Sequence, residues 1–154
     1  SFTTSFLELF VTRVDFHILP HDSLDERVRY VCRLVEKVFK LNKSIYIHVD
    51  DEADGRNLDK RLWDFKPEAF LPHRLQNSQQ ETPIAIGWQD DPGAHQDVII
   101  NLSQEIPEFF ARFERLIEVV CQESQNLATS RIHYRFYQER GYPLHRHDLR
   151  GQPS

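Results

Sequence analysis

Methionine is absent from the 154 residues, cysteine occurs twice and glycine only five times. Each scarcity narrows the field. Gly55, Gly87, Gly93, Gly141 and Gly151 are the whole glycine supply, and they form neither G-x-G-x-x-G nor G-x-x-x-x-G-K-[ST]. Those motifs need small residues so that backbone amides can approach a phosphate. The stretch after the first strand-like run, LPHDSLDE, carries Asp22, Asp25 and Glu26, which would repel a phosphate there. Cys32 and Cys121 each lie in an apolar run (YVCRLV, IEVVCQ) and read as buried, reduced thiols rather than a disulfide. No apolar run approaches the roughly 20 residues that span a bilayer. Positive charge is in deficit: 19 Lys and Arg against 24 Asp and Glu leave a net −5. That balance argues against coating nucleic acid by bulk charge, though it permits a local basic patch.

Catalytic signatures are missing as well. There is no G-x-S-x-G, and neither cysteine has a histidine placed beside it by a motif. Asp50, Glu52, Asp54 and Gly55 imitate the start of a calcium loop, but the twelfth position is Arg61 where a bidentate Glu is required. They read as a solvated acidic turn at a helix start. The eight histidines are scattered, and the pair His145 and His147 lacks a third convergent ligand. No metal site, cofactor or catalytic residue is expected.

What is present is the alternation of an α/β sheet. RVDFHIL (13–19) is β-branched and aromatic and ends at Pro20, so it reads as a strand. Ser23 and Glu26 form a capping box ahead of Val28, Val31, Val35 and Val38, predicting a helix over 24–41. SIYIHV (44–49), PIAIGW (83–88), DVIINLS (97–103) and RLIEVVC (115–121) are further strand runs. DEADGRNLDKRLW predicts a second helix, 106–113 a short one, and 124–140 a last helix stopped by Gly141 and Pro143. The expected fold is a single-domain Rossmann-like three-layer sandwich, with a mostly parallel central sheet of about five strands and no nucleotide-binding loop. Residues 1–10 lack a basic n-region and carry Glu8, so they read as a flexible extension rather than a secretory signal. The domain is expected over 11–149 and a frayed tail over 150–154, the polar run fraying from Arg146 onwards.

Two stretches carry surface chemistry. LWDFKPEAFLPHRL (62–75) packs Trp63, Phe65, Phe70 and Leu71 beside Pro67 and Pro72. Two prolines stop helices, so the stretch is expected to be irregular or extended and to hold large apolar groups near the surface. Such aromatics are core or interface anchors, and the residues alone leave both open. In SRIHYRFYQERGYPL (130–144), Arg131 and Arg135 share a helix face, with Tyr134 beside them and Tyr137 and Gln138 one turn on. From Thr129 to Arg150, five arginines face only Glu139 and Asp148. Arginine and tyrosine together suit an acidic peptide with an aromatic end, or else solvated arginines over packed tyrosines.

From Val14 to about Leu149 the chain resembles the chi subunit of the bacterial DNA polymerase III holoenzyme. The resemblance rests on VDFHIL, the LW…AFLPH segment, PIAIGW, DVIINLS, FERLIEVV and the closing R-x-x-Y-R-x-Y-x-x-x-G-Y. It implies a cytoplasmic, non-catalytic replication subunit of a polymerase complex, with two partners and only indirect contact with DNA. One partner is psi, a clamp-loader subunit, for which Trp63 and Phe70 match the family positions and Phe65, Pro67, Leu71 and Pro72 are neighbours. A helicase-like repair protein is an alternative occupant of that surface. The other partner is the acidic, Phe-ended C-terminal tail of single-stranded-DNA-binding protein, for which Arg131, Tyr134 and Arg135 match and Gln138 follows. The family can carry a Lys one turn before this Arg. Leu127 stands there, so the tail site is expected either to be less basic or to have Arg140 or Arg146 compensate. A small α/β nucleotide enzyme is the rival reading, and it would need a phosphate site.

Overall fold

The computed structural model describes residues 11–66, 71–75, 82–89, 92–93 and 96–151. Its chain order is β1 (Arg13–Ile18), α1 (Leu24–Phe39), β2 (Ile45–His48), α2 (Glu52–Phe65), β3 (His73–Leu75), β4 (Ile84–Gly87) and β5 (Val98–Asn101). A short 3-10 helix (Glu108–Arg112), β6 (Arg115–Val120), α3 (Ser124–Glu139) and β7 (Leu144–Asp148) complete it. The strands form one sheet in the order β3-β4-β2-β5-β6-β1-β7. Every pairing is parallel. The sheet is thus the expected open α/β one, with seven strands rather than about five.

Side-chain alternation along each strand sorts the core into two layers. Ile45, Ile47, Ile84, Ile86, Val98, Ile100, Ile117 and Val119 face α1 and α2. Val14, Phe16, Tyr46, Ile99, Leu116 and Val120 face α3 and the 3-10 helix. Because both faces are covered, the central strands read as continuous apolar runs.

The local signals explain the helix ends. The Ser23 side chain accepts from the Asp25 and Glu26 amides and starts α1. Asp51 accepts from the Asp54 amide and starts α2, with Glu52 and Asp54 in its first turn, while Asp50 accepts from the Gln104 amide. The Glu123 carboxylate accepts from the Gln125 and Asn126 amides and starts α3. Both cysteines are buried free thiols, and burial pushes Cys32 up to about 11.

Two expectations change. The stretch from Arg146, expected to fray, forms edge strand β7 as far as Asp148, parallel to β1. Its sequence LHRHD lacks an apolar face because an edge strand need not be buried on both sides. Phe65, expected in an irregular segment, lies in the last turn of α2 together with Trp63, which the sequence places both at the end of that helix and in the irregular stretch; the helix ends at Phe65 with only Lys66 before Pro67. Proline disfavours the helical conformation in the residue before it, here Lys66, without disturbing the turn upstream.

Candidate functional site

α3 is held against the sheet by a buried polar network. Ser130, His133 and Tyr137 form its inward face. The Tyr137 hydroxyl donates to the Glu118 carboxylate at 2.7 Å and Asn101 Nδ2 donates to it at 3.1 Å. His133 Nδ1 lies 3.1 Å from the same carboxylate, and its Nε2 lies 2.7 Å from the Gln104 carbonyl oxygen. Both ring nitrogens meet acceptors, an arrangement that favours the doubly protonated imidazolium. Burial alone would lower the His133 pKa, but the hydrogen bond and charge of Glu118 outweigh it and hold the value above its ordinary one. The same burial, with the Glu118 charge beside it, drives the Tyr137 hydroxyl far above its usual range. Of the two roles the sequence leaves open for Tyr137, packing is the one it takes: it is core, with none of its surface exposed.

With that face fixed, the rest of α3 turns outward. A cleft of about 240 Å³ opens between α3 and the β1–β7 end of the sheet. Phe16, Ile18, Leu127 and Tyr134 supply apolar walls, and Arg131, Arg146 and Arg150 supply charge. Tyr134 packs edge-on against Phe16, with ring centres 5.1 Å apart. Arg131 is exposed and Tyr134 half-buried. Arg135 and Gln138 are exposed on the same helix but do not line the cleft. Arg146 does line it, across from Leu127, whereas Arg140 lies 4.2 Å over the Phe136 ring. Arg150 grips Asp148 through Nε at 2.9 Å and Nη2 at 2.7 Å, which pulls the Asp148 carboxyl down to about 2. Arg150 and the floor residues Phe16 and Ile18 were not visible as site residues in the sequence, because only the parallel placement of β7 beside β1 brings them to α3.

The aromatic end of α2 forms a second surface. Trp63 is half exposed and lies 4.5 Å from the buried His73 ring. His73 is clamped at 2.5 Å to the Leu71 carbonyl and at 3.2 Å to the Asp59 carbonyl. Trp63 is therefore mounted on a fixed base. Phe65 and Pro72 are half-buried, and Phe65 borders a groove of about 250 Å³ between α1 and α2. Leu71 is a core residue, only 4% exposed, which supports this surface from beneath. Pro67 and Phe70 lie outside the described residues.

A third cavity, about 380 Å³, sits at the carboxyl ends of β2, β5 and β6, where doubly wound sheets take nucleotides. Arg27, Asp50, Asp54, Asn57, Ser103 and Glu123 are among its walls. Arg27 is pinned through Nε to the Val119 carbonyl at 2.8 Å. Burial and the neighbouring Asp51 and Asp50 hold the Asp54 carboxyl above its ordinary value. Three carboxylates against one guanidinium make a poor phosphate site. Among the described residues, no three His, Cys, Asp or Glu side chains converge to hold a metal, and no helix is long and apolar enough to cross a membrane.

Known proteins are similar in sequence to this chain over most of the described fold. The family model of the DNA polymerase III chi subunit, HolC, matches residues 11–145. The DNA polymerase III subunit chi of Pseudomonas aeruginosa is 42% identical over 139 residues, covering 90% of this chain and 98% of that protein. The corresponding subunit of Haemophilus influenzae is 30% identical over 132 residues, 84% of this chain and 92% of that protein. That of Escherichia coli is 26% identical over 136 residues, with the same two coverages. A match from the first strand to the start of the last, on a fold whose nucleotide crevice is lined with acid, has one reading: the chain belongs to the DNA polymerase III chi subunit family.

Proposed function

We propose that this chain is a non-catalytic adaptor of the replicative polymerase holoenzyme. It joins psi of the clamp loader, at the Trp63 surface, to the acidic tail of single-stranded-DNA-binding protein, at the α3 cleft. The observation that carries the reading is the cleft's composition. A phenylalanine ring fits apolar walls made by Phe16, Ile18, Leu127 and Tyr134, and Arg131 and Arg146 stand where the acids and the terminal carboxylate of such a peptide would lie. Arg135 and Gln138, further along the exposed helix, extend the contact to residues upstream of that phenylalanine.

At the other surface, Trp63 is the anchor, with Phe65, Leu71 and Pro72 around it and Pro67 and Phe70 in the adjoining segment. A half-exposed tryptophan on a rigid mount suits the centre of a protein interface. Each contact is moderate by itself, and joining two of them raises the effective concentration of each partner at the fork.

Fluorescence anisotropy with a labelled tail peptide tests the cleft. Wild type should bind, a peptide lacking the final Phe should not, and affinity should fall as salt rises. Arg131→Ala should weaken binding by at least about 1 kcal/mol, roughly fivefold in Kd. Unchanged affinity in Arg131→Ala would refute the assignment.

A further inference from the structure

On the sheet face opposite the α3 cleft, the β1–β7 edge is not fully covered by α1, and it carries a second concentration of positive charge. Asp15 lies at its centre, fully buried. Arg13 Nε donates to one carboxylate oxygen at 3.0 Å, and Arg115 Nε from neighbouring β6 donates to the other. His147 Nε2 from β7 approaches the same carboxylate at 3.3 Å. Burial would raise the Asp15 pKa, but the Arg115 and Arg13 hydrogen bonds outweigh it and lower the value.

One acid therefore holds two guanidiniums by their inner nitrogens. Their side chains remain 45% and 39% exposed while bound to Asp15 through Nε. Tyr30, Arg33 and Lys37 occupy one stripe of α1 beside this strip, at i, i+3 and i+7. Arg33 and Lys37 are exposed, and the charge of Lys37 reaches His17. Four fixed cations, Arg13, Arg33, Lys37 and Arg115, thus face one carboxylate. Glu36, the nearest acid on α1, lies 3.8 Å from Lys40 and 3.7 Å from Lys66. Glu114 and Asp148 are the chain neighbours of Arg115 and His147, so strand alternation turns these two acids to the other face.

Rings run between the charges. His147 lies tilted by 44° against His17 with centres 4.7 Å apart, and His17 meets Tyr30 edge-on at 5.7 Å. Burial and the neighbouring His147 push His17 down to about 4, so this ring is an uncharged platform at neutral pH. Guanidinium forks read phosphate oxygens and rings stack on bases. Basic groups interleaved with aromatic platforms are the recurring design for single-stranded nucleic acid. We infer that the Arg13–Arg115–His147 strip beside β7 is a low-affinity contact for the phosphodiester backbone of single-stranded DNA. Asp15 acts there as the positioning residue that sets the two forks side by side. The strip and the α3 cleft lie on opposite faces of one edge, so neither site depends on the other. Against a net charge of −5 the contact is weak at physiological salt, and it acts on DNA already brought close.

Anisotropy of a labelled oligo-dT, from low to physiological salt and with no other protein present, tests this. Wild type should bind at low salt. The double variant Arg13→Gln/Arg115→Gln keeps an amide donor for Asp15 and should bind at least tenfold more weakly. Its slope of log affinity against log salt should be shallower by about 1.4, two phosphate contacts at about 0.7 each. The surface pair Arg33→Ala/Lys37→Ala does not touch Asp15 and should weaken binding in the same direction, which guards against misfolding of the first variant. Arg131→Ala should leave oligo-dT binding within twofold, so failure here is separable from failure of the tail cleft. The inference is overturned by absent binding at low salt, by unchanged affinity in both double variants, or by equal loss in Arg131→Ala. Tighter binding of a duplex of the same length, or full competition by an acidic peptide, would also overturn it.

Discussion

Replacing Glu118 with Gln tests the network that orients α3. In the wild type, Glu118 accepts from Tyr137, Asn101 and His133 at 2.7, 3.1 and 3.1 Å in a buried site. A hydrogen bond to a charged group contributes about 1.5–3 kcal/mol, against about 0.5–1.5 for a neutral one. Glutamine preserves the shape but keeps one acceptor oxygen, enough for the Tyr137 and Asn101 donors at about 1 kcal/mol less each, while its NH2 cannot accept from a protonated His133 Nδ1. The expected cost near pH 6 is about 2–3 kcal/mol, a fall in Tm of roughly 5–10 °C for a chain of this size. The dependence on pH is the sharper signature. Because Glu118 raises the His133 pKa, the folded state holds that proton more tightly. The stabilisation is therefore fully present below the unfolded value of about 6.5 and is lost as pH rises through the folded one. A neutral His133 leaves the carboxylate facing a ring nitrogen without a proton, whereas a glutamine amide can donate to that nitrogen. The gap between wild type and Glu118→Gln should narrow as pH rises from 6 to 9. Thermal unfolding followed by circular dichroism at both pH values measures it. A gap that is constant or widens would refute the imidazolium assignment.

Other expectations follow from single contacts. A Cβ on Gly55 would sit 2.8 and 2.9 Å from the Trp88 ring, an overlap costing about 1–3 kcal/mol, more than the about 0.5–1 kcal/mol gained in helix propensity. Gly55→Ala should therefore lower Tm by a few degrees, and a rise in a melting scan would mean that Trp88 swings aside freely. His17 is held down at about 4, so the folded state resists protonating it. Its contribution is present above about 6.5 and fades as pH falls towards 4, and His17→Phe should flatten that limb in acid melts. Leu127→Lys places a further cation on the cleft wall, and it should strengthen tail-peptide binding at low salt and steepen its salt dependence.

The sheet was legible because its central strands are buried on both faces. IYIH, IAIG, VIIN and RLIEVV are mostly apolar, interrupted only by His48, Asn101, Arg115 and Glu118, and that pattern survives without knowledge of neighbours. The edges were not legible. HRL and LHRHD lie at the two ends of the strand order, bear one-sided or little burial, and carry no periodic signal. The same gap hid half of the cleft. Arg131 and Tyr134 are readable on α3 by helical spacing and Arg146 was expected only as a compensating charge, whereas Phe16, paired with Arg146 across 130 residues of chain in the β1–β7 register, was not expected there. The proline signal in 62–75 correctly ended α2, yet it said nothing about the turn before it, where Trp63 and Phe65 are helical. Leu71, read as part of an aromatic surface, went inward because His73 ties its carbonyl beneath Trp63.

The central claim is that two independent surfaces act on one rigid domain. A paired capture experiment with purified psi and immobilised tail peptide, on wild type, Trp63→Ala and Arg131→Ala, tests it most directly. Trp63→Ala should lose psi and keep the peptide, and Arg131→Ala should lose the peptide and keep psi. Loss of both partners in either variant, or loss of neither, would contradict the account.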